Sequence, residues 1–226
     1  DGGNNWTAKN VGLQGLMVRG LAMSQVGSRI LYVSIQNASV QDLGGGFTFS
    51  LPGIYKSSNG GTSWTLTTIP ADNFGFIAPT VLVPDPVDPN GIYAVAYTQI
   101  YHSTDAGATW NSSITGLPLG GGAVVNTLAV DPKTPATLYA GLFTGVSVPA
   151  LIYKSSNSGM SWGPSGTGLP NTLGVYDLAI DPVNSANVYA SLVASSTVNG
   201  GIFKSVDSGG GWQDTTSGIE QLIKNY

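Results

Sequence analysis

Few side chains in this chain could carry acid–base or nucleophilic chemistry. There is one histidine, His102, one glutamate, Glu220, and two arginines, Arg19 and Arg29, and cysteine is absent. The missing thiols exclude a disulfide framework, a thiolate metal site and a cysteine nucleophile. A glycoside hydrolase needs two carboxyl groups roughly 5–9.5 Å apart across the scissile bond. The aspartates outside any repeated motif, and so free for such work, are Asp42, Asp72, Asp177 and Asp214. A Ser–His–Asp triad would have to use His102, but that residue fills the place of Lys56, Lys154 and Lys204 ahead of a repeated serine. It reads as a substitution within a repeat, not as a base.

The elements that must position these groups are repeats. All five tryptophans close one short motif: Ser57-x-Asn59-x-Gly61-x-x-Trp64, Ser103-x-Asp105-x-Gly107-x-x-Trp110, Ser155-x-Asn157-x-Gly159-x-x-Trp162 and Ser205-x-Asp207-x-Gly209-x-x-Trp212, with Asp1-x-Gly3-x-x-Trp6 as a partial copy. Successive tryptophans are 58, 46, 52 and 50 residues apart, so the unit is about fifty residues. A second element recurs ahead of each complete box. Asp85-Pro86, Asp131-Pro132 and Asp181-Pro182 each lead, eight residues after the aspartate, to Tyr93, Tyr139 and Tyr189. The first unit keeps that spacing from Ser24 to Tyr32.

Each unit reads as four short strands with alternating apolar, often β-branched residues. One precedes Asp-Pro, one carries Tyr-Ala, one is the Ile-Tyr-Lys-Ser segment before the box, and one begins at the tryptophan. The box has a mechanical reading: Asp or Asn accepts hydrogen bonds from its own tight turn, glycine supplies a conformation other residues resist, and tryptophan packs between units. A calcium reading is disfavoured, because two boxes use asparagine and none gathers several acids. No metal and no cofactor are expected.

Composition narrows the partners. Charged residues make up 9% of the chain, against roughly 25% in ordinary soluble domains. The net charge is −4 and the eight basic residues do not cluster, which argues against nucleic acid and anionic membrane surfaces. No apolar run is long enough to insert into a bilayer. The surface is rich in Ser, Thr, Asn and Gly rather than Lys and Glu, a style that points to an extracellular or cell-surface location.

The boxes resemble the Asp-box (BNR) repeats of β-propellers over essentially the whole chain. The added Asp-Pro…Tyr-Ala element looks most like xyloglucanase-type glycoside hydrolases and sortilin-like propellers, and sialidases share the box. The resemblance implies an all-β propeller of four-stranded antiparallel blades. Residues 1–226 form one propeller in this reading, as a fragment or a module. An outer strand (1–10) precedes units at 11–69, 70–115, 116–167 and 168–218, with a tail at 219–226. Four complete units and one orphan outer strand suggest a larger propeller. The structural box positions are Asp1, Trp6, Asn59, Trp64, Asp105, Trp110, Asn157, Trp162, Asp207 and Trp212.

In propellers of this type the boxes and Asp-Pro turns share one face, and ligands use the other. There the loops between second and third strands differ from unit to unit. Asp42 and Phe47 lie in the longest of them, and Asp72, Phe74 and Phe76 in a linker between units. By alignment Arg19, Asn126, Tyr176 and Asp177 precede the innermost strands and should face the central channel. Phenylalanine beside Asp or Asn suits a sugar's apolar face and hydroxyls, and suits protein equally. No catalytic residue is carried over from the xyloglucanases. The lack of an arginine triad and a Tyr–Glu pair argues against sialidase activity within these residues. Three functions remain open: a non-catalytic extracellular recognition or assembly propeller binding protein or glycan, part of a polysaccharide hydrolase, or a structural surface protein binding copies of itself.

Overall fold

The computed structural model describes residues 4–13, 17–27, 29–36, 39–41, 47–49, 53–67, 79–148, 151–194 and 200–217. Among them the regular structure is entirely β, and sixteen of eighteen strands form four antiparallel blades of four strands each. The first blade is built from β1 (Val18–Met23), β2 (Leu31–Ile35), β5 (Gly53–Ser57) and β6 (Thr65–Thr67), with a separate ribbon of β3 (Ser39–Gln41) and β4 (Phe47–Phe49) between its second and third strands. The second comprises β7 (Val81–Pro84), β8 (Ile92–Ala96), β9 (Gln99–Ser103) and β10 (Asn111–Ser112). The third comprises β11 (Val124–Val130), β12 (Leu138–Val148), β13 (Ile152–Ser155) and β14 (Gly163–Pro164). The fourth comprises β15 (Thr172–Ile180), β16 (Val188–Val193), β17 (Gly201–Ser205) and β18 (Gln213–Asp214).

The innermost strands β1, β7, β11 and β15 pack each against the next, so the blades fan around a common centre. Strand β12 runs on past its own blade and pairs with β15 at Phe143–Gly174 and Val148–Thr172, which makes blades 3 and 4 one continuous sheet. The core lies between blades. Tyr32, Tyr93 and Tyr139 on the second strands are fully buried, as are Ile54, Ile100 and Ile152 on the third. Burial, with nearby aspartates adding to it, pushes Tyr32, Tyr93 and Tyr139 up to about 12, so their hydroxyls stay protonated. Tyr139 donates to the Ser208 carbonyl of the next box at 2.8 Å, and Tyr93 donates to Ser158 at 3.4 Å. Lys56 and Lys154 reach the same box position from the third strand, donating to Ala106 and Ser208.

The boxes are small hydrogen-bonded cages. In each, the serine hydroxyl donates to the Asn or Asp side chain at 2.7–2.8 Å and accepts the glycine N–H at 2.8–2.9 Å. The glycine is required twice over. At Gly159 the backbone has φ +81°, and a Cβ there would lie 2.2 Å from the Ser113 hydroxyl of the preceding blade. That hydroxyl donates to the Gly159 carbonyl at 2.6 Å, and Ser165 repeats the contact on Gly209.

Three of the tryptophans each grip the unit before their own with two donors. Trp64, Trp162 and Trp212 donate their indole N–H to the carbonyls of Lys9, Ser113 and Ser165. Their backbone N–H groups go to Val11, Thr115 and Thr167. Lys9 and Val11 stand three and five residues after Trp6, the same offsets as in the later units. The segment around Lys9 and Val11 therefore docks as the tails of blades 2 and 3 do, but Trp6 is 90% exposed, unlike the other four tryptophans. Trp110 is buried, and its indole nitrogen has no partner among the described residues.

That difference is measurable. Trp162→Phe strands a buried carbonyl and should cost about 1–3 kcal/mol more than the ring change alone, whereas Trp110→Phe removes an unpaired N–H. Urea unfolding of both variants should show Trp162→Phe as the more destabilised; equal losses would refute the grip.

Candidate functional site

The innermost strands carry a break in their ladder at one aligned position. Pairing of β1 with β2 skips Arg19, pairing of β11 with β12 skips Asn126, and pairing of β15 with β16 skips Tyr176. A bulge of this kind re-aims its side chain without moving the register beyond it. Three of the four residues expected at the channel thus occupy equivalent bulges, and Asp177 follows the last. Blade 2 has no such break, and β7 pairs in step from Val81.

Their side chains differ in freedom. Asn126 is committed to the neighbouring blade: its amide donates to the carbonyls of Val175 and Tyr176 at 3.0 and 2.9 Å. Arg19 is exposed, with its Nε donating to Gln36. Tyr176 is 72% exposed. One oxygen of the exposed Asp177 carboxylate accepts from the Thr127 hydroxyl at 3.0 Å and from the Leu178 N–H at 2.9 Å.

Sequence reasoning missed Tyr97. It sits in the two-residue turn between β8 and β9, is 47% exposed and has φ 55°, a conformation bulky residues seldom adopt. Its carbonyl accepts the Val125 N–H at 2.9 Å, one residue before Asn126. Two exposed tyrosines, Tyr97 and Tyr176, are therefore each bonded to the Val125–Asn126 segment through their carbonyls. The signal was available: Tyr101 follows Tyr93 at an offset of only eight, which forces a tight hairpin whose turn normally calls for Gly or Asn.

Other candidates do not join this group among the described residues. The backbone of Phe47 lies in β4, and Asp1, Asp42, Asp72, Phe74 and Phe76 fall outside the described residues. Asp214 is on the outermost strand of blade 4 and binds Thr216. Three strand spacings separate it from β15, roughly 14 Å, beyond the carboxyl separation a glycosidase uses. Asp85, Asp131 and Asp181 cap their own turns, accepting from backbone N–H groups two and three residues on. Asp105 is held down to about 2, first by the Thr109 hydroxyl and then by the Thr109 N–H and Ser103 hydroxyl, so the box keeps its charge at any physiological pH. No three metal-ligating side chains come together among the described residues.

His102 lies flat on Tyr93 with ring centroids 4.0 Å apart and 9° between planes. It replaces the lysines that cross to the next box. Burial lowers its pKa, against the pull of Asp85 and Asp88. A base with a depressed folded pKa contributes stability above its ordinary value near 6.5 and loses it as pH falls through the folded value. Thermal stability should therefore drop on acidification below about pH 6.5, and less so in His102→Phe; parallel profiles for the two proteins would contradict the assignment.

No protein-family model matches the chain, and neither does any curated protein sequence. Solved structures do. An ancestral GH74 enzyme is similar at 20% identity over 92% of this chain and 25% of its own length, with a TM-score of 0.64. The GH74 xyloglucanase from Xanthomonas campestris is similar at 17% identity over 94% of this chain and 32% of its own, with a TM-score of 0.65. The GH74 enzyme of Niastella koreensis is similar at 18% identity over 88% of this chain and 38% of its own, with a TM-score of 0.60. The chain thus spans between a quarter and two-fifths of the length of these solved enzymes. At such identities the likeness speaks for the fold alone, and with the four antiparallel blades it establishes that this chain has an all-β propeller architecture.

Proposed function

We propose that this chain is an extracellular, non-catalytic recognition propeller of the Asp-box type that binds glycan or protein through the face carrying its variable loops. One observation carries the reading. Exposed Tyr97 and Tyr176 are both tied to the Val125–Asn126 segment, and the exposed Asp177 follows Tyr176 in the chain. Tyr176 is 72% exposed and Tyr97 47%. An aromatic face takes the apolar face of a sugar, and the adjacent carboxylate takes its hydroxyls. Asn126 fixes the two inner strands against each other, so the platform is preformed and little ordering entropy is lost on binding. Arg19 occupies the equivalent bulge of blade 1 and extends the same rim.

The GH74 xyloglucanase fold makes xyloglucan oligosaccharides the first glycans to test. Calorimetry should give saturable binding that weakens at least about tenfold in Tyr176→Ala, the loss expected when roughly 1–2 kcal/mol of stacking is removed. Tyr97→Ala should weaken it as well, and chromatography of the mixture should show no cleavage. If glycans fail and a protein ligand is found, the same two substitutions should still weaken it. A ligand insensitive to both would sink the assignment of this face.

The shared fold also favours a second reading, part of a polysaccharide-active hydrolase. Asp177 would then be one of its two carboxyl groups. Turnover of xyloglucan that is lost in Asp177→Asn would establish this reading and overturn the first.

A further inference from the structure

The boxes hold their Asn or Asp in one cage but treat the residue after it differently. In blades 2, 3 and 4 the backbone N–H of that residue is bonded to the Asp-Pro turn of its own blade. Ala106 donates to the Asn90 carbonyl at 2.8 Å, Ser158 to Ala136 at 2.9 Å and Ser208 to Ala186 at 3.0 Å. The first unit has Ser24-Gln25 where the others have Asp-Pro. Its corresponding residue, Gly60, donates its N–H to no described residue. Gly60 is exposed, with φ +67° and nothing within 4 Å of where a Cβ would stand.

Asn59, just before it, is held as an electrophile. Its Oδ1 accepts the Ser57 hydroxyl at 2.8 Å and the Ser63 N–H at 3.0 Å, and its Nδ2 donates to the Ser63 hydroxyl at 2.8 Å. Two donors on a carbonyl oxygen stabilise the negative charge that develops there when a nucleophile adds. The Gly60 nitrogen is a nucleophile on the same stretch of chain. Its closure on Asn59 Cγ forms a five-membered ring, an intramolecular step with no second molecule to bring in. Asn157 sits in the same cage, at 2.8, 2.9 and 2.8 Å, but Ser158 carries a side chain and its N–H is taken. Asn90 also precedes a glycine, yet Gly91 is buried and donates to the Asp88 carbonyl at 3.1 Å.

We propose that Asn59 is a self-modifying site, converted from amide to acid in the folded protein by attack of its own chain. The Gly60 nitrogen gives its proton to solvent and bonds to Asn59 Cγ, and the carbonyl electron pair moves onto Oδ1. The Cγ–Nδ2 bond then breaks, and Nδ2 leaves as ammonia after taking a proton from water. Water opens the resulting succinimide: cleavage at Cγ gives an aspartyl residue, and cleavage at the main-chain carbonyl gives isoaspartyl. Water is the only reactant consumed. The aspartyl form suits the cage. Asp105 already places its second oxygen on the Thr109 hydroxyl at 2.6 Å, and Ser63 stands at that position in blade 1. The isoaspartyl form inserts a methylene into the main chain between Ser57 and Gly61, whose 2.9 Å bond closes the cage. The inference is independent of the binding role assigned to the loop face.

Peptide mapping by mass spectrometry, on folded protein incubated at mildly alkaline pH, tests it. Asn59 should convert at least about tenfold faster than Asn157 or Asn90, a factor that corresponds to roughly 1.4 kcal/mol of barrier. The rate should rise with pH, because the attacking nitrogen must lose its proton. Gly60→Ser, which copies the blade 3 sequence, should bring Asn59 down to the rate of Asn157. Ser158→Gly bares the chain in blade 3 but leaves its N–H bonded to Ala136, so Asn157 should stay slow there. This second variant decides the matter even where Gly60→Ser does not fold. Three results would overturn the proposal: an Asn59 that keeps its amide in the folded protein, conversion confined to urea-unfolded chains, or Asn157 in Ser158→Gly matching the rate of Asn59.

Discussion

The structure depends on a tryptophan that holds two carbonyls belonging to the blade before its own. A flat ring between sheets contributes apolar burial, which is strong but indifferent to direction. The indole and backbone N–H groups of Trp64, Trp162 and Trp212 add direction, because their acceptors stand at fixed offsets in the preceding unit. The serine that donates to the Gly159 or Gly209 carbonyl from behind, and the tyrosine and lysine that meet the box from the second and third strands, then have their positions set. Four different side chains converge on one short turn. The turn tolerates no change at its glycine, because both the left-handed backbone and the neighbouring hydroxyl forbid a Cβ.

Much of this was legible in the sequence because the repeat samples each position several times. Box spacing, the Asp-Pro turn and the Tyr-Ala strand each follow from the chemistry of one turn or one strand, and each recurs. The tryptophan's grip on the previous blade was half visible: its packing was expected, its two acceptors were not, since they lie in segments without a motif. Junctions that depart from the pattern were harder still. Ile69-Pro70 stands where Val11-Gly12, Thr115-Gly116 and Thr167-Gly168 stand elsewhere, and the tryptophan that follows, Trp110, keeps a buried indole nitrogen without a described partner.

The candidate site divides along the same line. Arg19, Asn126 and Tyr176 could be placed by alignment because they sit at one repeated position, and they occupy equivalent bulges. Their individual behaviour could not be read that way. Asn126 spends its amide on the next blade while Tyr176 stands in water, and that distinction depends on the distance between two inner strands. Tyr97 escaped notice because no motif marks it and it lies in the shortest of the loops between second and third strands. Its strained backbone follows from that very shortness.

The bulges have a consequence for how such a surface can change over generations. A residue inside a ladder answers to its cross-strand partner, so altering it disturbs the sheet on both sides. A bulged residue answers to no partner in the ladder; β1, β11 and β15 resume register on either side of it. Arginine, asparagine and tyrosine already occupy the same geometric seat within this one chain. The rim is therefore a row of seats free of the ladder, although Asn126 is tied to the Val175 and Tyr176 carbonyls. Under the proposed recognition role, ligand preference would change at these positions while the boxes keep the architecture still.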